Sequence, residues 1–148
     1  MKGAVKAPSL ERIMDWLKDQ GVEFTWNRSE PNMTTSDGEH IRVNLNMREI
    51  KPFVILHEIF HAIGETEKHK RLWLVDQKEL KEELAANEFA IKMSRRMSVS
   101  SKEAMEIYAK MKGKILKKIK NKKLAKAEAE RRAEACIKII EEELCTCR

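Results

Sequence analysis

The sequence predicts an α+β protein: a small antiparallel or mixed sheet packed on one apolar helix, followed by a helical C-terminal tail. Three observations lead there. The run Pro52 to Ile63 is apolar except for His57, Glu58 and His61, and a helix apolar nearly all round is a buried one. Two earlier segments, Val22–Trp26 and residues 39–46, alternate apolar and polar residues with the period of a strand. Near the C-terminus, Ala133, Ile137, Ile140 and Leu144 repeat at helical spacing.

Each element has its own local cause. Ser9 is suited to cap a helix over about 10–20, with Leu10, Ile13, Met14 and Leu17 on one face and Gly21 ending it. Residues 28–38, holding Pro31, Asn32, Ser36 and Asp37-Gly38, read as loop and turn. Ile41, Val43 and Leu45 alternate with Arg42, Asn44 and Asn46, which implies a strand with one wet face. The apolar helix then spans about 52–64, with Gly64 as its stop. A further helix over about 78–97 carries Leu80, Leu84, Phe89, Ile91 and Met93. Ser98–Ser101 breaks it, Ser100-x-x-Glu103 forms a capping box for the next, and Asn121 interrupts that one. Two units follow: residues 1–97, and a helical extension over 98–148.

With 148 residues the chain can bury one modest core. No apolar run approaches the roughly 20 residues needed to cross a bilayer, and the N-terminus lacks the apolar centre of a signal peptide. A cytoplasmic protein without a membrane partner is expected. The three cysteines, Cys136, Cys145 and Cys147, lie close together at one end, which suits free thiols and not a disulfide framework. The net charge is +6, from 30 basic and 24 acidic residues. Residues 1–97 hold 16 of each, so the excess belongs to the tail, where Lys110 to Lys126 holds nine lysines and no acid. Such a block is a solvated helix face or a patch for nucleic acid or an acidic partner.

The chemistry resides in His57-Glu58-Ile59-Phe60-His61, an H-E-x-x-H pattern. Histidines four apart project from one helix face, one turn apart, and can hold one Zn²⁺ between them. Glu58, on an adjoining strip, is placed to act as general base. In a buried helix these polar groups are costly unless something satisfies them, and a metal does.

Catalytic zinc takes three protein ligands and leaves one position open. Glu83 is the preferred third ligand, because a second helix against the first can deliver it. Asn87, one turn further on, could then hydrogen-bond a ligating histidine. Glu88 stands on another face of that helix. Glu67 completes His57-x-x-x-His61-x-x-Gly64-x-x-Glu67, a spacing whose third ligand is normally histidine and which needs a later Met-turn that is not evident. His69 is close to that position but out of register.

The stretch from Ile41 to about Met93, roughly a third of the chain, resembles the zinc metallopeptidases of the ImmA/IrrE type, in the gluzincin branch. The matching parts are the strand Ile41–Leu45, the apolar approach to His57-Glu58-x-x-His61, and Glu83-x-x-x-Asn87-x-Phe89-Ala90. The resemblance implies a zincin-like core, zinc on His57, His61 and Glu83, and Glu58 as base. It implies an intracellular protease of regulatory proteins, often repressors, with a protein or peptide as partner. Two features depart from it: Met93 is followed by Ser94 where members commonly have Met-Pro, and nothing from residue 98 onward matches. The competing expectation is a non-proteolytic, zinc-containing regulator that binds nucleic acid or an acidic partner through Lys110–Lys126.

Overall fold

The computed structural model describes residues 8–37, 40–48, 51–66, 79–97 and 122–144, with isolated positions between 106 and 117. Helix α1 (Leu10–Asp19) opens at Ser9, whose Oγ accepts from the Arg12 backbone N–H at 3.1 Å. Its apolar stripe, Ile13, Trp16 and Leu17, is buried. The chain leaves α1 through Gly21 at φ +93°, a conformation in which a Cβ would be strained. That turn feeds β1 (Val22–Asn27) directly.

Three strands, β1, β2 (Met33–Ser36) and β3 (Ile41–Asn46), form one mixed sheet in the order β1-β3-β2. β3 is parallel to β1, with Val22 opposite Ile41, and antiparallel to β2, with Thr34 opposite Val43. Ile41, Val43 and Leu45 therefore share a face with Val22, Phe24, Trp26, Thr34 and Ser36, and that face meets the helices. β2 falls where a loop was expected from the sequence. Its four residues, Met-Thr-Thr-Ser, have no apolar alternation of their own, and pairing with β3 is what makes them a strand.

The polar face of β3 is wet only at Arg42, which is exposed as the alternation suggested. Asn44 and Asn46 are 9% and 6% exposed, because residues 28–32 fold over them. Asn44 Nδ2 donates to the Pro31 carbonyl at 2.8 Å, and Asn46 Nδ2 to that of Glu30 at 2.7 Å. Asn32 Oδ1 accepts from the Asn46 backbone N–H at 2.8 Å. The two buried asparagines thus find their hydrogen-bond partners in the loop. They thereby set where the chain re-enters the sheet as β2.

Helix α2 (Pro52–Glu65) starts with Pro at its first position, where no helical N–H is needed. Gly64 is not its stop: it is buried inside the helix, which ends one residue later. Thr66 closes it, turning to extended backbone while its hydroxyl donates to the Ile63 carbonyl at 2.7 Å. Helix α3 (Glu79–Arg96) packs along α2, with Phe60 and Phe89 in ring contact at 5.6 Å. Both rings are fully buried, and each contributes on the order of 2–3 kcal/mol by leaving water.

Helix α4 (Lys122–Leu144) covers the other side of α3. Ala129, Ala133, Cys136, Ile137, Ile140 and Leu144 are buried and join the same apolar cluster as α2 and α3. The predicted C-terminal stripe is thus a packing face. Arg96 pairs with Glu141, and Lys92 with Glu134 at 3.1 Å, across its rim. Such exposed pairs are worth at most about 1 kcal/mol each. No described helix is long and apolar enough to cross a membrane. The expected features at Ser98–Ser101, Glu103 and Asn121 lie outside the described residues.

Candidate metal centre

Two helices build this site. On α2 the helical repeat puts His57 and His61 on one face, their rings edge to face with centroids 5.0 Å apart. The Phe60–Phe89 contact holds α3 against α2, and α3 then presents Glu83 and Asn87 to those histidines. The Nε2 atoms of His57 and His61 stand 3.3 Å apart. Glu83 reaches both, with Oε1 3.1 Å from His57 Nε2 and Oε2 2.7 Å from His61 Nε2. Ligand atoms from the three residues lie within 4.8 Å of one another, so the group could hold a metal ion.

Geometry and electrostatics both fit a small cation. Four-coordinate zinc with ligands at about 2.0–2.1 Å has ligand-to-ligand edges of about 3.3 Å, close to the spacing here. Two imidazole lone pairs and a carboxylate packed so tightly repel one another unless protons or a cation lie between them. Burial on its own would raise the Glu83 carboxyl, but hydrogen bonds from His57 and His61 and their charge override it. They hold the group well below the usual carboxylate range. Glu83 thus offers an anion across the physiological range.

Asn87 orients the site from behind. It is fully buried, and its Oδ1 lies 2.8 Å from Nδ1 of His57. A carbonyl oxygen can only accept, so Nδ1 carries a proton whether or not Nε2 does, and Nε2 is the nitrogen that can give up its proton and offer a lone pair to a metal beside Glu83 and His61. Among the described residues Nδ2 of Asn87 has no hydrogen-bond partner. An orphan of this kind costs about 1–3 kcal/mol, a penalty that suits an amide placed for the histidine and not for the fold. Asn87→Ala is expected to lower metal affinity about 10- to 100-fold with the three ligands intact. Competition with a chromophoric chelator measures this, and unchanged affinity would remove the orienting role.

Glu58 lies next to the cluster, 7% exposed. The hydroxyl of Thr34 donates to its Oε1 at 2.8 Å and lies 3.1 Å from its backbone carbonyl. Thr34 was missed at the level of sequence because it belongs to the unforeseen β2. Only the register, with Thr34 opposite Val43, shows that it points at α2. Glu88, the competing ligand on α3, is half-buried and outside the cluster. Glu67 and His69 lie outside the described residues, as do Cys145 and Cys147. Cys136 is free and buried in the core, and desolvation raises its thiol well above the usual value, so it remains protonated. Comparison of the chain with protein-family models, with curated proteins and with solved structures found no match.

Proposed function

We propose that this chain is a zinc-dependent metallopeptidase that hydrolyses peptide bonds in an intracellular protein, with regulatory proteins such as repressors as its substrate class. One observation carries the reading: two histidine Nε2 atoms and the Glu83 carboxylate converge within 4.8 Å, beside a buried carboxylate on the same helix. Two imidazoles and one glutamate are a ligand set of catalytic zinc, whereas structural zinc is usually closed by four ligands rich in cysteine. Zinc bound to this triad supplies Lewis acidity, lowering the pKa of water towards neutrality and polarising a carbonyl oxygen.

The other parts of the reaction belong to the chain. Asn87 keeps His57 in the tautomer that presents Nε2. Glu58 takes a proton from the attacking water and passes it to the departing amine nitrogen. An extended substrate pairs with an open strand edge, and β3 is the central strand, paired on both sides. That part falls to β2, an edge strand whose Thr34 already touches Glu58; an extended peptide added there would run past the base.

The second reading, a non-proteolytic regulator, draws on the exposed lysines Lys110, Lys114, Lys117, Lys123 and Lys126. Zinc-loaded protein incubated with a peptide mixture prepared from a cell lysate separates the two. New peptide termini seen by mass spectrometry, and abolished by a chelator, are expected. Fully loaded protein that generates none, yet binds DNA in a salt-dependent way, would overturn the peptidase reading.

A further inference from the structure

We infer that Thr34 is a positioning residue for the general base, fixing which oxygen of Glu58 is used and where it points; this rests on the peptidase reading above. Carboxyl oxygens on a side chain that is 7% exposed are costly to bury without hydrogen-bond partners. Among the described residues the Thr34 hydroxyl is the donor that meets it, 2.8 Å from Oε1. The same hydroxyl is 3.1 Å from the Glu58 backbone carbonyl, so its one hydrogen ties the carboxylate back against its own helix. Oε1 is then engaged, and Oε2 is the oxygen left to accept and return a proton.

Threonine suits this task better than serine. Its branched Cβ restricts χ1 and is at home in a strand, so the hydroxyl has one direction. Two pairings with β3 flank it, Met33 opposite Asn44 and Thr35 opposite Arg42, and they stop β2 from sliding along the helix. The asparagines that hold residues 28–32 over β3 set the start of β2 as well. A fold-level chain thus leads from the sheet to one carboxylate oxygen. Because β2 is an edge strand, a peptide that pairs with it would also press on the residue that holds the base.

A double-mutant cycle in the metal-free protein isolates the contact from catalysis. Thr34→Val keeps the branched shape and removes the hydroxyl, while Glu58→Ala removes the acceptor. Urea unfolding should show Thr34→Val lowering the folded-to-unfolded ratio about ten-fold in the parent and less than two-fold in the Glu58→Ala background. Equal losses in both would show that the hydroxyl does not act through Glu58, and the inference would fall. In the zinc-loaded protein, with a peptide taken from the lysate-derived mixture, Thr34→Val should lower kcat about 10- to 100-fold with zinc content and KM unchanged. Thr34→Ser should restore most of kcat. Parent-like kcat in Thr34→Val would overturn the positioning role even if the cycle shows coupling. A parent that binds zinc and cleaves nothing, with coupling intact, would fell the peptidase reading alone.

Discussion

Replacing His61 with alanine is expected to abolish stoichiometric zinc binding, from about one ion per chain to essentially none after dialysis against buffer. The apparent binding free energy of zinc at a small protein site is on the order of 10–16 kcal/mol. Losing one of three protein ligands removes roughly a third of that, or about three powers of ten in affinity. His57→Ala and Glu83→Ala should behave alike, since the three side chains form one cluster with spacings of 2.7–3.3 Å. Glu88→Ala is the matched control on the same helix and should retain the ion. Elemental analysis of the purified variants decides the matter: if Glu88→Ala or Glu67→Ala loses as much zinc as Glu83→Ala, the third ligand is misassigned. Zinc should also raise the melting temperature of the parent, because an ion that binds the folded chain alone stabilises it by mass action.

The second large effect concerns Glu58. Glu58→Gln should keep its zinc, because the side chain is not among the ligands, and should lose about 10²- to 10⁴-fold in kcat. An amide has the shape of the carboxylate and can still accept from Thr34, so the local fold survives. What it cannot do is accept and return a proton. Steady-state rates on one cleaved peptide, set beside zinc content, test both halves. Undiminished turnover in Glu58→Gln would exclude this residue as the base, and loss of zinc would mean that it ligates instead. The pair of experiments separates holding the metal from moving the proton, two roles that a single inactive variant confuses.

Much of the local structure could be read from residue order. Ser9 as a cap, Ile13 and Leu17 of the α1 stripe and the buried positions of α4 appear as expected, while Leu10 and Met14 are only partly buried and Trp16 joins the stripe. Gly64 misled because glycine often ends a helix; here it is buried within α2, and the Thr66 hydroxyl provides the ending. Asn44 and Asn46 misled in another way. Their alternation with apolar residues is what a solvated face looks like, yet residues 28–32 cover them and bond to them. β2 carried no pattern at all, because a four-residue edge strand owes its form to its neighbour.

The residue order alone determined the relation among His57, Glu58 and His61, since the pitch of an α-helix fixes where residues one and four apart must project. Between Glu83 and Glu88, the two candidates on α3, packing decides: with Phe60 against Phe89, Glu83 faces the histidines and Glu88 is off the cluster. Thr34 reached Glu58 by the register of a strand that had no visible signal. The physical reason is one of range. Backbone geometry acts over a few residues and can be read locally, whereas partners 24 or 26 positions apart meet only through the packing of whole elements.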